Sequence, residues 1–430
     1  MQPYSSRNRE ELEKELQNVK NDFAKCKMQG LNLNIARGKP SKAQLDVVSD
    51  ILTTLQTAED CFSDGIDTRN YGELAGLPCA RAYWADVLDC KPEQTFVGGA
   101  SSLNLMFDVI SRAYSHGLLH SQQPWCKEET VKFLCPSPGY DRHFRVTEFF
   151  GAELITVPMS AEGPDMDVVE SLVRDPQVKG MWCVPKYSNP DGIIYSQTTI
   201  SRIAALKPAA PDFVVMWDNA YCVHEFEGEY VPFPDIIEAC AQAGNPDMVM
   251  EFASTSKITF SGGGISVMAS SKANIDYFTK LFGVQMISYD KVNQIRHVKY
   301  LKDKTHTIEI MKRHAKVLQP KFRAVLDILD KEIKPLGFAK WNAPKGGYFI
   351  SFDTMPGTAK RALALCKEAG VEMTPAGATF PYGKDPADSN IRIAPSLPPV
   401  EELQAAMQVF CTCLKLAALE KLLAESQKSH

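Results

Sequence analysis

Apolar residues at Leu12, Leu16, Val19 and Phe23 open the chain at steps of four, three and four, a single stripe on a helix that is otherwise polar. The stripe predicts a helix docked against the body of the protein. Between residues 95 and 270 the pattern changes to short apolar runs separated by longer helix-compatible stretches. The runs are TFVGG from Thr95, VKFLCP from Val131, ELITVP from Glu153, GMWCVP from Gly180, DFVVMWD from Asp212, MVMEFAS from Met248 and GISVMAS from Gly264. Such runs predict an α/β fold with a mostly parallel, seven-stranded sheet covered on both faces. Only a loop separates the last two, so those strands are expected to be antiparallel or hairpin-like.

After residue 300 a long helical region from Asp303 to Lys334 leads to a strand at GGYFISFD. A helix ending in EAGVE, a strand at NIRIAPS and a helix from Val400 to near Glu425 complete an α+β lobe. The expected division is residues 1–45 as the N-terminal helix and arm of the small domain, 46–300 as the large domain and 301–430 as the small C-terminal domain.

With 430 residues, 44% hydrophobic and 23% charged, the chain has ample material for such a core. A net charge of −5 leaves no basic footprint, which argues against nucleic acid or an acidic membrane as partner. No window approaches the ~18 apolar residues of a membrane span, and the first residues lack a signal peptide's apolar region. Twelve cysteines include no C-x-x-C pair; Cys135 and Cys183 sit in apolar runs, and Cys411 and Cys413 are too close for an ordinary bridge. This usage predicts buried reduced thiols in a cytoplasmic protein.

In open α/β sheets the ligand site lies beyond the carboxyl ends of the strands. The first strand runs into GGASSLNLMF, where backbone N–H groups at a helix start can cradle a phosphate, although the same residues also describe a plain turn. It is not the G-x-G-x-x-G dinucleotide fingerprint. The second is followed by PSPGYDRHF, which places Tyr140 at the rim as a stacking platform or as a surface residue of a proline turn. The fourth is followed by KYSNPDG, where Asn189 precedes proline and is extended, either aimed into the site or starting a turn. The fifth ends in Asp218, a carboxylate that needs a cation there unless it caps a helix, followed by Asn219, Ala220 and Tyr221. The sixth ends in Ser254-Thr255-Ser256-Lys257; a lysine leaving a buried strand can be desolvated into the neutral amine that Schiff-base chemistry requires. Arg392, inside the apolar strand NIRIAPS, calls for an anion, whether a ligand carboxylate or a structural partner.

Taken in order, from about Ile35 to Pro398, these elements resemble the class I aminotransferases of the fold-type I pyridoxal-phosphate enzymes. ARGKP, KYSNPDG, SKITFSGGG and DKVNQIRH are most similar to a bacterial aspartate aminotransferase subgroup. The resemblance implies a three-layer transferase fold, pyridoxal 5'-phosphate as cofactor, and ping-pong amino transfer between an amino acid (aspartate or glutamate in that subgroup) and a 2-oxo acid. It implies that Lys257 holds the cofactor as a Schiff base and shuttles the proton, and that Asp218 keeps the pyridine nitrogen protonated. Tyr221 and Asn189 would bond the ring's phenolic oxygen and Tyr140 would stack on the ring. Gly99, Ala100, Ser101 and Ser254 would bind the phosphate. Arg392 would take the substrate α-carboxylate, with Gly38 and Asn189 beside it. Tyr71, in RNYGELAGLP, matches a tyrosine that reaches the neighbouring subunit's phosphate, implying a homodimer with composite sites.

One departure stands out. Many relatives place a phosphate-binding arginine eight or nine residues after the lysine, where this chain has Ile265 and Ser266. The phosphate charge must then be met otherwise, by more hydroxyl donors or by Lys291 or Arg296. With Arg37 they are also the candidates for a substrate's second carboxylate, with Arg37 favoured because Ile35 and Gly38 suggest a tight, partly buried segment. The bland reading of Lys291 and Arg296 is solvated charge at a helix start. The same constellation also serves lyases and decarboxylases, since substrate orientation over the ring selects the bond that breaks. A sensor domain of a transcription regulator is the third reading, but only ~35 residues precede ARGKP, with no helix-turn-helix pair among them.

Overall fold

The computed structural model describes residues 2–428. Its main sheet comprises β1 (Thr95–Gly98), β2 (Lys132–Ser137), β3 (Glu153–Ser160), β4 (Gly163–Pro164), β5 (Val178–Cys183), β6 (Val214–Asp218), β7 (Val249–Ser254) and β8 (Ser266–Ala269). The order across the sheet is β1-β8-β7-β6-β5-β2-β3-β4. All seven expected strands are present, and the expected antiparallel step is β8, which runs opposite to both β7 and β1. The sheet nevertheless has eight strands rather than seven. The addition, β4, is a two-residue antiparallel partner of β3, too short to leave a period in the sequence.

Both faces of the sheet are buried, which is why the runs read as continuously apolar. Val97, Leu134, Met181, Val215 and Trp217 point into one core cluster; Phe96, Phe133, Trp182, Val214 and Met216 point into the other. Helices complete the layers, among them α1 (Arg9–Met28), α2 (Ser102–Ser115), α3 (Asp141–Phe149), α4 (Lys291–Leu301), α5 (Lys304–Glu332), α6 (Ala359–Glu368) and α7 (Val400–Lys428). Asn8 and Glu11 form a reciprocal capping box that starts α1. Its stripe lands as expected: Leu12, Val19 and Phe23 are buried against α7, with Leu16 packed alongside.

A third cluster joins α1, the second half of α5, α6 and α7 to a small antiparallel sheet of β9 (Lys340–Trp341), β10 (Ile350–Asp353) and β11 (Asn390–Ile393). The arm after α1 is fixed to this lobe, since Leu33–Asn34 pairs parallel with Val371–Glu372. One helix serves both regions. Ile310 and Met311 of α5 pack in a sheet-side cluster, whereas Leu318, Phe322, Val325 and Leu329 pack in the lobe. All twelve cysteines are free thiols, most of them buried, and no described helix is long and apolar enough to cross a membrane.

Candidate active site

The carboxyl ends of the parallel strands meet the small lobe, and the residues singled out at those ends converge there. Asp218 closes β6 and is 5% exposed. Its Oδ2 accepts a 2.8 Å hydrogen bond from His143 Nε2 on α3, while Oδ1 is buried without a partner. A buried carboxylate oxygen left unmet is costly, so Oδ1 is a standing demand for a proton donor. His143 is clamped in turn, stacked on Trp182 at 4.4 Å and 7° and meeting the Tyr140 ring edge-on at 4.9 Å.

Lys257 lies in the turn between β7 and β8. Its Nζ sits 5.1 Å from the Tyr221 ring centroid and 5.7 Å from that of Tyr348. Burial lowers its pKa, opposed by the charge of Asp218. Such a lysine gives up its proton more readily than a solvated one, as an amine nucleophile must. Burial drives the neighbouring phenols the other way, Tyr221 well above the ordinary range and Tyr140 to about 12, so both remain protonated donors.

Gly98, Ser266 and Ser254 stand level in register across β1, β8 and β7. A Cβ on Gly98 would lie 2.8 Å from both Leu105 Cδ1 and Ser266 Oγ, so only glycine brings the chain this close. Beyond it, Gly99, Ala100 and Ser101 lead into the N-terminus of α2, and Gly99 faces the Tyr289 ring. Ser254 Oγ donates to Ser256 Oγ, which donates to the Ala100 carbonyl, both at 3.0 Å. These bonds tie the lysine turn to the glycine turn.

The positions where an arginine is absent hold a buried Ile265 and a buried Ser266 whose hydroxyl has no partner. The solvated-charge reading of Lys291 and Arg296 does not hold. Lys291, at the start of α4, is 3% exposed with its ammonium unpaired. Arg296 bonds Asn293, whose Nδ2 in turn donates to the Gly263 and Gly264 carbonyls after Lys257, and its Nε is buried and unmet. The burial argument for Arg37 fails. Ile35 is buried and Gly38 is tight, but the Arg37 side chain between them is exposed.

Arg392 on β11 is buried, donating from Nη1 to Asp141 Oδ1 at 3.0 Å and to Asn189 Oδ1 at 3.4 Å, with Nε unmet. Its guanidinium lies 4.9 Å above the Phe349 ring. Gly38 supports that ring from the arm, where an added Cβ would fall 2.6 Å from Phe349 Cε1 and nearer still to Cζ. Gly38, Phe349 and Arg392 are thus one layered contact joining arm and lobe. Tyr71 stands apart from these groups, 80% exposed on the surface of the chain.

The strand-end rule missed His143, Ser256 and Phe349. His143 had a signal, its place three residues after Tyr140 on a helix that faces the Asp218 strand. Phe349 had none beyond membership of an apolar strand.

A family model described as aspartate amino-transferase matches residues 7–426. An aspartate aminotransferase from Corynebacterium glutamicum is 49% identical over 404 residues, 94% of each chain. A crystal structure of an aspartate transaminase from that organism superposes with a TM-score of 0.95 at 48% identity, covering 96% of this chain and 98% of the other. The α-aminoadipate aminotransferase LysN from Thermus thermophilus, complexed with N-(5'-phosphopyridoxyl)-L-leucine, has the same fold at 21% identity and a TM-score of 0.72, covering 93% and 95% of the two chains.

Proposed function

The chain belongs to the aspartate amino-transferase family and is an aminotransferase, and from this premise we propose that it exchanges an amino group between aspartate or glutamate and a 2-oxo acid, using pyridoxal 5'-phosphate bound at Lys257. The observation that carries the cofactor is the unpartnered, buried Oδ1 of Asp218, the acceptor that a protonated pyridine nitrogen needs. The glycine turn at Gly98–Gly99, with Ala100 and Ser101 at the N-terminus of α2 and Ser254 at the end of β7, has the donor set that a phosphate needs. When bound, the cofactor supplies an electron sink for the carbanion formed at the substrate Cα.

The protein's part is binding and proton traffic. Lys257 Nζ, its proton loosened by burial, would hold the cofactor as a free amine and carry the proton to and from the substrate Cα. Asp218, held by His143 through Oδ2, presents its unpartnered Oδ1 deep in the site. Tyr221 and Asn189 would hold the cofactor ring by its phenolic oxygen, and Tyr140 would cover the ring. Arg392 receives the α-carboxylate as a bidentate partner, exchanging Asp141 for it. Of the three cations considered for a second carboxylate, Lys291 has the strongest unmet demand for an anion, because it is both buried and unpaired. Tyr71, so exposed on its own chain, suits a role in a partner's site and so a homodimer with composite sites. The division at residues 45 and 300 and a cytoplasmic location complete the proposal. Borohydride reduction of the purified yellow protein should label the peptide carrying Lys257, and aspartate with 2-oxoglutarate should outrun alanine and phenylalanine as donors. A label on another lysine refutes the site, and preference for neutral amino acids refutes the substrate.

A further inference from the structure

The strands β10 and β11 bury both of their faces, although only one face is apolar. Side chains alternate along a strand, and directly opposed residues share a face. Ile350 opposes Ile393 and Phe352 opposes Ile391, and all four lie in the apolar cluster of the lobe. Ser351 opposes Arg392 and Asp353 opposes Asn390, which sets Asn390 and Ser351 beside Arg392 on the other face. Asn390 is 3% exposed and Ser351 5%. Polar groups buried this deeply need partners to offset their lost hydration.

Asn390 has them all. Its Nδ2 donates to Ser351 Oγ at 3.0 Å and to Asp353 Oδ1 at 2.8 Å, and its Oδ1 accepts from Thr379 Oγ1 at 2.7 Å. An ionised carboxylate only accepts, so Asp353 fixes which end of the amide faces it and leaves the other end to a donor. Thr379 is that donor. It is itself buried, and its carbonyl accepts from Gly139 N at 2.7 Å. Gly139 lies two residues before Asp141. On the other side the Asp191 carboxyl, raised by burial to a pKa of about 6, takes a hydrogen bond from Ser351 that opposes the rise. Asp191 lies two residues after Asn189. Asp141 and Asn189 are the two acceptors of Arg392 Nη1. Each loop that meets the guanidinium is thus tied back, two residues away, to the amide beside it.

The ion pair of Arg392 with Asp141 opens whenever a substrate carboxylate takes its place. The route from Gly139 through Thr379 to Asn390 contains no group that the substrate displaces. We propose that Asn390, with Thr379, is a positioning residue for Arg392, holding the turn of Tyr140 and Asp141 against the arginine strand while Asp141 is displaced. The guanidinium and the stacking tyrosine then keep their spacing through each turnover. The inference rests on Arg392 receiving the substrate α-carboxylate.

Thr379→Val keeps the shape of the side chain and removes the donor to Asn390 Oδ1, whereas Thr379→Ser keeps the donor. The test is steady-state kinetics on the holoenzyme, with amino acid and 2-oxo acid varied in turn. In Thr379→Val the KM for both should rise about tenfold, a part of the hundredfold that a misplacement of about 1 Å costs. The carboxylate is held alike before and during proton transfer, so kcat should stay within about twofold. Thr379→Ser should return both KM values to wild type. A merely structural loss lowers the melting temperature and the active fraction, hence kcat, and leaves KM alone. Thr379→Ala against Thr379→Ser carries the same comparison where the valine variant does not fold. Unchanged KM values in the folded variant without the hydroxyl overturn the proposal, as does a serine variant that behaves like it. Arg392→Ala is measured beside them. KM values unmoved by that substitution overturn the carboxylate reading itself, whereas values raised there and unmoved in the Thr379 variants overturn only the positioning role.

Discussion

Replacing Gly38 with alanine adds one methyl group and touches no charge, yet it should damage the carboxylate site specifically. The new Cβ would lie 2.6 Å from Phe349 Cε1 and nearer to Cζ, whereas resting carbon pairs stand about 3.5–4.0 Å apart. One of the two must move by about 1 Å. The arm cannot yield easily: the Lys39 carbonyl accepts from Ser396 Oγ and the Ala36 carbonyl from Thr374 Oγ1, both at 2.9 Å. The ring therefore moves toward the Arg392 guanidinium 4.9 Å away. Overpacking of this kind costs about 1–3 kcal/mol of stability, and a misplacement of about 1 Å at a substrate-positioning group costs up to about 10²-fold in rate. Steady-state kinetics on amino and oxo acids, with thermal melts alongside, should show kcat/KM lowered about 10- to 100-fold. The cofactor's visible spectrum should be unchanged, because Lys257 and Asp218 are untouched. A kcat/KM within about twofold of wild type would refute the layered contact as the support of Arg392.

Arg392→Ala should cost about 2–5 kcal/mol in binding either substrate, seen as KM values raised by orders of magnitude; Asp141→Asn should lower KM, since it frees Arg392 from its 3.0 Å partner. Asp218→Asn, which keeps the shape but not the charge facing His143, should reduce turnover about 10²- to 10³-fold, and retained turnover would deny Asp218 its role. Glu251, buried on β7 and bonded to Asn219, has its pKa raised by burial from 4.5 to about 8. The folded state thus holds a proton that the unfolded chain releases, and the stability this gives is complete below pH 4.5 and lost as pH rises toward 8. Unfolding free energies from urea titrations between pH 5 and 8 should fall by up to about 1.4 kcal/mol per pH unit more steeply in wild type than in Glu251→Gln, and parallel profiles would contradict it. Mixing Tyr71→Phe with Lys257→Ala subunits should restore one wild-type site per hybrid dimer; a hybrid with one defect in each site and no wild-type site would mean that Tyr71 serves its own chain.

The strand-end residues were legible because topology alone places them: a carboxylate closing β6 and a lysine following β7 meet whatever the helices do. The support around them was not. His143 matters because α3 lays it against Asp218 and Trp182, and Phe349 because the arm and β11 sandwich it, contacts between separate elements that no local pattern announces. Arg37 shows the limit of inferring burial from neighbours, since a side chain flanked by a buried Ile35 and a cramped Gly38 can still point outward. Lys291 shows the converse. A charge at a helix start reads as solvated, yet Lys291 at the start of α4 is buried.

The docking of α1 on α7 has a consequence for biosynthesis. The main partner of α1 is α7, far along the chain, so the stripe of Leu12, Val19 and Phe23 cannot reach that partner until the intervening chain has been synthesised. Closure of the small lobe, in which α1, α6 and α7 share one core, therefore requires α7 to have been made.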